Sequence, residues 1–242
     1  IDTGGWFRIG CPTSQIAKPD VRGGIYRIRR VDQPKVADAR GQKIDWAKQT
    51  PEQLVKLLDD ERFEVRDKAV DELALRGEKA VGALKKATVS SSITQNINAV
   101  WALARMNNES AKLAVRDVLQ NSQQAEVLSA AIRAIVETND RQALPLIANL
   151  VEKTSGSTQR EAVAVLGRFK YDAALPVLTT MLKTRMDRQM EHALLYALIQ
   201  IGKPEALLTL INQKQGEQSQ RALTVLEQTK GYTLDSKVVM QC

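Results

Sequence analysis

The chain has 242 residues, of which 43% are apolar and only 4% aromatic, and its formal net charge is +7. No apolar run approaches the roughly 20 residues that span a bilayer, so the sequence indicates no membrane-spanning helix. Two cysteines, Cys11 and Cys242, lie at opposite ends and exclude a disulfide framework. The opening residues lack an initiator Met and the features of a signal peptide, which suggests a piece of a longer protein.

The positive charge is concentrated near the N-terminus. Residues 1–43 hold nine Lys and Arg against four Asp, which leaves 26 basic and 24 acidic residues for the rest of the chain. Binding to a nucleic-acid backbone needs clustered basic groups. The near-neutral remainder therefore argues against nucleic acid as the partner.

Residues 1–30 have the periodicity of β-strands. Residues 6–9 (Trp-Phe-Arg-Ile) and 25–28 (Ile-Tyr-Arg-Ile) alternate in polarity, and Gly and Pro residues that favour turns lie between them. Residues 31–50 are polar and mixed in charge, which predicts a linker. Within it, Trp46 is expected to dock onto the first helix that follows.

The same N-terminal stretch carries a family resemblance. Residues 2–20, with the run Gly-Cys-Pro-Thr-Ser-Gln at 10–15, and residues 23–30 resemble the closing segment of a β-propeller in the membrane-bound dehydrogenase-like, PVC-type haem-binding proteins. In that family a propeller related to sugar dehydrogenases precedes HEAT repeats and a c-type haem domain carrying Cys-x-x-Cys-His. The resemblance implies an extracytoplasmic, periplasmic location. It implies haem c only for the parent protein, because this chain lacks the haem motif and nearly all of the propeller, so no cofactor is expected here.

From residue 69 onward one core motif recurs. It consists of Ala, a branched apolar residue, and Leu or Ile four places after the Ala. Its first positions are Ala69, Ala99, Ala131, Ala162, Leu194 and Ala222, which are separated by 30, 32, 31, 32 and 28 residues. Such a near-constant step is typical of repeat proteins, whose units pack only on their neighbours. The sequence predicts an all-α, HEAT-like α-α superhelix (solenoid) of about six helix pairs over residues 51–242, preceded by a short β segment at residues 1–30.

Local signals place the helices of these pairs. Thr50 and Pro51 predict the first helix start, and Gly77 predicts the end of its partner. Pro145 and Pro176 predict bends within two outer helices. Outer helices are expected near residues 51–59, 78–88, 109–120, 140–152, 172–184 and 203–213, and inner helices near 62–76, 92–106, 123–137, 157–169, 187–201 and 216–229. The final stretch, 232–242, resembles the first helix of a seventh pair.

Few residues suggest catalysis or metal binding. His192, the only histidine, has Glu191 beside it and Asp187 a turn earlier, an arrangement that a metal site or a general base would need. One His without a Cys partner favours a structural or exposed role instead. Cys11 has no histidine near it in sequence, so a packing role is favoured over a nucleophile. No catalytic, cofactor-binding or metal residue is predicted.

A candidate binding surface follows from the repeat register. Inner-helix positions two residues before and two after each first motif position face away from the outer helix and are expected to line the concave side. They include Trp, Tyr and Arg, which are enriched at binding hot spots. The candidate residues are Asp67, Asp71, Trp101, Arg133, Arg160, His192 and Tyr196. The alternative for Trp101 and Tyr196 is packing between adjacent repeats.

Together these patterns favour a non-catalytic scaffold or protein-interaction module from a larger dehydrogenase-like, c-type haem protein. Its partner would be another protein or the neighbouring domains of the same parent chain. A second hypothesis is a DNA-glycosylase-type protein, to which some HEAT-like solenoids are similar, with Trp101, Asp67, Asp71, Arg133 and Arg160 on a basic concave face. A third is a HEAT-like tetrapyrrole lyase, which would need a cofactor-sized pocket.

Overall fold

The computed structural model of the protein describes residues 23–26, 36–211 and 216–235. The chain divides into two units, Ile1–Ala37 and Asp38–Cys242. Every helix in the described residues lies in the second unit.

Little of the first unit belongs to the described residues. Gly24, within residues 23–26, takes part in an isolated β-bridge. The predicted strand at residues 6–9 and Cys11 lie outside the described residues, as does half of the predicted strand at 25–28. The propeller-like segment therefore stays a prediction.

The second unit contains six consecutive helix pairs in its described residues, which confirms the predicted HEAT-like solenoid. The outer helices are α1 (Pro51–Leu57), α3 (Glu78–Ala87), α5 (Glu109–Asn121), α7 (Leu144–Lys153), α9 (Leu175–Met181) and α11 (Glu205–Ile211). The inner helices are α2 (Phe63–Arg76), α4 (Ile93–Met106), α6 (Ala125–Glu137), α8 (Gly156–Arg168), α10 (Arg188–Ile201) and α12 (Gly216–Gln228). Across the described ranges, no helix is long and apolar enough to cross a membrane.

The pairs stack in two parallel rows. Each inner helix packs against the next inner helix, each outer helix against the next outer one, and each outer helix against its own inner partner. All six first positions of the core motif are fully shielded from solvent. The core is therefore continuous along the stack, as expected when each unit buries its apolar side against its neighbour.

The inner helices α8 and α10 approach each other closely at Gly167 on α8. A β-carbon at this position would lie 2.5 Å from the Cα of Ala197 and 2.8 Å from its Cβ, both on α10. Such a distance is far inside van der Waals contact. The missing side chain thus allows the backbones of α8 and α10 to come together.

A residue with a positive φ angle ends each of the first five inner helices or follows it closely. These residues are Gly77, Asn107, Asn139, Lys170 and Gly202, with φ angles of 59°, 46°, 48°, 51° and 69°. Their steps of 30, 32, 31 and 32 residues equal those of the core motif. Glycine and asparagine adopt this conformation readily, whereas lysine pays a steric penalty. The turn after each of these inner helices is therefore part of the repeat, even at Lys170, where the residue type does not indicate a positive φ angle.

The two prolines act differently from the prediction. Short 3-10 turns at Arg141–Ala143 and Asp172–Ala174 precede α7 and α9, and Pro145 and Pro176 are the second residues of these helices. Bends inside single long helices were the wrong expectation. An N–H in the first turn has no intrahelical acceptor, so a proline is tolerated there and the helix starts at that point.

Residues 38–50, part of the predicted linker, fold onto the first helix pair. Trp46 is buried, and its Nε1 donates to the carbonyl of Gly41 at 3.0 Å. The Lys68 ammonium lies 4.8 Å from the centre of the Trp46 ring, and Arg76 donates to the Trp46 carbonyl at 3.0 Å. Both cations belong to α2, so the tryptophan docks there rather than only on the first helix. At α1, the predicted Thr50 cap is confirmed.

Two further ion pairs lie outside the row of inner helices. One joins residues that are distant in sequence, and the other closes the turn between α1 and α2. Arg116 of α5 binds Asp140 through two hydrogen bonds of 2.6 and 2.7 Å, and both side chains are largely buried. The bond to Asp140 raises the pKa of Arg116. Between α1 and α2, Arg62 donates twice to Asp60 at 2.8 Å, which lowers the pKa of Asp60.

The C-terminal end of the described chain is not helical. Residues 229–235 contain no helix, and Tyr232 and Leu234 pack partly buried against the core. The predicted seventh-pair helix at 232–242 is therefore not helical in its described part, and residues 236–242 lie outside the described residues.

Candidate functional site

The inner helices α4, α6 and α8 form a depression of about 500 Å³ on their solvent side. Trp101 is half-buried, packs on the core and also lines this depression. The lining combines apolar and polar groups from three repeats, chiefly Ile97, Trp101, Ser129, Arg133, Arg160 and Glu161. Residues about 30 positions apart in sequence are thus brought together by the repeat register.

A second depression, of about 620 Å³, lies between α8 and α10. Its lining residues are Arg160, Glu161, Ala164, Arg188, Gln189, His192, Ala193 and Tyr196. Because Arg160 and Glu161 line both depressions, the two adjoin. We call the combined surface the inner-face groove.

Two aromatic rings lie side by side in the second depression. The rings of His192 and Tyr196 stack with their centroids 6.3 Å apart and their planes inclined by 14°. Both residues are exposed, and Tyr196 is 55% accessible. Tyr196 therefore does not fill a gap between repeats, contrary to the packing alternative.

The acidic neighbours of His192 are engaged elsewhere. Glu191 accepts a hydrogen bond from Arg221 of α12 at 2.6 Å, and Asp187 caps α10 by accepting from the Met190 N–H at 2.8 Å. A metal site or acid–base pair at His192 is therefore not assembled. Among the residues that the structure describes, no group of three His, Cys, Asp or Glu side chains could hold a metal ion.

Asp67 and Asp71 do not line the groove. Both lie on α2, and Arg105 of α4 binds them, with nitrogen–oxygen distances of 2.8 Å to Asp71 and 3.7 Å to Asp67. The DNA-glycosylase hypothesis needs these carboxylates beside Trp101. Instead, their ion pairs with Arg105 join the inner helices of the first two repeats.

The arginines of the groove differ in their partners. Arg133 of α6 forms an ion pair with Glu161 of α8. Arg160, one repeat further on, donates to the side-chain oxygen of Gln189 at 2.9 Å. Gln189 is neutral, so this contact leaves the charge of Arg160 uncompensated.

Five of the seven candidate residues meet in the groove: Trp101, Arg133, Arg160, His192 and Tyr196. Their role in binding stays a prediction. Glu161, Arg188 and Gln189 also line the groove and were not predicted. Of these three residues, Arg188 could have been found from the sequence, because it lies four residues, or about one helical turn, before His192 on the same face of α10.

Comparison with known families supports the repeat architecture. The sequence profile for HEAT repeats matches residues 51–136, 113–199 and 143–227, which together span all six helix pairs. Among curated proteins, none matches the chain at a significant level.

Solved structures with a similar fold include natural and designed proteins. An engineered protein is 22% identical, with 74% of this chain and 96% of that one covered and a TM-score of 0.42. A designed armadillo repeat protein is 18% identical over 75% of this chain and 100% of its own, also with a TM-score of 0.42. The complex of CpcE and CpcF of phycocyanin lyase from a Nostoc species is 18% identical over 84% of this chain and 80% of that one, with a TM-score of 0.48. None shares enough sequence to indicate the partner of this chain.

Proposed function

The chain belongs to the HEAT-repeat family, and we propose that it is a non-catalytic scaffold whose inner-face groove binds a segment of a partner protein. One observation carries this proposal: the groove displays an exposed tyrosine, a half-buried tryptophan and three arginines across four successive inner helices. Tyr, Trp and Arg contribute most to the binding energy of protein interfaces. Stacked repeats present such groups on a long, rigid surface.

The proposed context of this scaffold is a larger redox protein. On the resemblance of residues 2–30, the solenoid connects a sugar-dehydrogenase-like propeller to a c-type haem domain in an extracytoplasmic, periplasmic protein. Its partners are then the neighbouring domains of the same parent chain, and the haem is held outside the solenoid. The sequence of the parent tests this context directly, through an upstream propeller and a downstream Cys-x-x-Cys-His.

The binding function is tested with two groove variants and a matched control. Trp101→Ala and Tyr196→Ala each remove an aromatic side chain from the groove, whereas Leu113→Ala removes an exposed apolar side chain from the outer helix α5. Calorimetric titration against separately expressed flanking domains should show at least about tenfold weaker binding for the groove variants, since such anchors are worth about 2 kcal/mol or more. Leu113→Ala should bind normally. Equal binding by all three variants contradicts the proposal.

The non-catalytic part has its own test. The purified chain should not reduce a dye acceptor when sugars or alcohols are supplied. Turnover above the rate of the buffer control would overturn the claim that the chain is non-catalytic. That result would not affect the binding test.

A further inference from the structure

We infer that the α8–α10 half of the groove is a subsite for an acidic side chain of the bound protein segment, with an apolar residue next to it. This inference rests on the proposed scaffold function and specifies the chemistry of its partner. It follows from how charge is compensated along the inner helices.

Two arginines in the earlier repeats are neutralised by an acid on the adjacent inner helix. Arg105 of α4 pairs with Asp71 of α2, and Arg133 of α6 pairs with Glu161 of α8. Each pair removes the local excess of charge. These contacts therefore join repeats and leave little positive charge for a ligand.

The pattern is interrupted between α8 and α10, and it resumes where Arg221 of α12 pairs with Glu191 of α10. Arg160 meets the neutral amide of Gln189, and Arg188 forms no ion pair with any described residue. Both arginines line the same depression of about 620 Å³. A guanidinium has five N–H donors, and only one bond from Arg160 is made within the described chain. Two uncompensated cations in one depression favour a carboxylate, which accepts hydrogen bonds from guanidinium groups in a bidentate manner.

Glu161 also lines this depression but pairs with Arg133, and Gln189 accepts from Arg160; the remaining lining residues are apolar or aromatic. Ala164 and Ala193 are small, and the stacked rings of His192 and Tyr196 rise beside them. An apolar side chain of a ligand can pack on these groups while its neighbouring carboxylate reaches the arginines. The depression therefore fits an Asp or Glu adjacent to an apolar or aromatic residue.

A nucleic acid fits this surface less well. Affinity for a phosphate backbone requires several cations arranged along it. Glu126 and Glu161 line the adjoining depression, and Arg133 is already paired. A phosphate chain that followed the groove would meet both carboxylates, whereas a short acidic segment at α8–α10 meets only Glu161, which already pairs with Arg133.

The test is a selection from a random 12-residue peptide library displayed on phage, carried out on the immobilised full chain. Peptides that bind are sequenced and their affinities measured against wild type, the double variant Arg160→Gln/Arg188→Gln, and the control Arg168→Gln. Arg168 is exposed on α8 and does not line the groove, so Arg168→Gln removes one positive charge outside the site. A single-stranded DNA 12-mer is measured in parallel.

The inference expects enrichment of Asp or Glu next to an apolar or aromatic residue. The double variant should bind these peptides at least about tenfold more weakly, while Arg168→Gln changes affinity less than about twofold. Peptides that bind the double variant as well as wild type, but lose affinity with Trp101→Ala, would overturn the acidic subsite and keep the scaffold function. Failure to enrich any peptide counts against both. Arginine-dependent binding of DNA without peptide enrichment would assign the site to phosphate and overturn the inference.

Discussion

The close approach of α8 and α10 predicts that Gly167→Ala destabilises the protein, although alanine is the better helix former. The added β-carbon would lie 2.5 Å from the Cα of Ala197, which is a backbone atom and cannot rotate away. To relieve this contact, α10 must move as a whole. The substitution is therefore a direct probe of inter-repeat packing.

Gly82→Ala is the matched control for this substitution. Gly82 lies within α3, and a β-carbon there would meet nothing within 4 Å. Replacing a helical glycine by alanine gains about 0.5 to 1 kcal/mol. Overpacking a close contact costs about 1 to 3 kcal/mol. The two variants should therefore differ by about 1 to 3 kcal/mol, with Gly82→Ala at or above wild type and Gly167→Ala below it.

Thermal melts followed by circular dichroism at 222 nm measure the difference. For a chain of this size, 1 kcal/mol shifts the midpoint by about 2 to 4 °C, so we expect the two midpoints to lie about 2 to 12 °C apart. In Gly167→Ala, amide hydrogen exchange should become faster than in wild type in α8 and α10, and should change less in α3 and α4. A Gly167→Ala protein as stable as Gly82→Ala would refute the close packing of these helices.

Three further predictions concern charges and turns. Asp140→Asn should lower the unfolding free energy by about 3 kcal/mol, because it removes the buried carboxylate that Arg116 binds and leaves only the exposed Glu109 as an ion-pair partner; a loss below about 1 kcal/mol in urea melts contradicts this. Lys170→Gly should raise the stability by about 0.5 to 1 kcal/mol by relieving the left-handed backbone at φ 51°, and Lys170→Ala, which keeps the β-carbon, should bring no such gain. Asp60→Asn should melt below wild type at pH 7, since the lowered pKa of Asp60 means that its ionised form stabilises the fold above the ordinary carboxyl pKa. That stability is lost as pH falls through the lowered pKa, so the gap should shrink below pH 3.8, and a gap that does not depend on pH counts against the Asp60–Arg62 interaction.

The helix pairs were predictable because their signals are local. The core motif, with Ala and Leu four residues apart, marks one face of a helix wherever it occurs, and residues such as Thr50 and Gly77 end or begin helices through their own backbone and side-chain bonds. The turn at Lys170 was hidden, since lysine has no preference for the left-handed conformation that the repeat imposes on it. The prolines were misread because a proline within a helix and one at its start look alike in sequence.

The site was only partly predictable from the sequence. The repeat register brought Trp101, Arg133 and Arg160 to one face, as expected from spacing alone. Which of these arginines keeps a free charge depends on the side chain that the next repeat places opposite it. Glu161 meets Arg133 and Gln189 meets Arg160 only after the helices have stacked.

The sequence by itself determined that helices pair and repeat, because helix periodicity, capping and apolar spacing act within about 30 residues. Tertiary structure alone decided the docking of Trp46 on α2, the approach of Gly167 to Ala197 and the burial of Arg116 with Asp140. These contacts join residues on different elements, and their distances depend on how closely the elements pack. Packing is set by the shapes of all the side chains in an interface together, which no local pattern records.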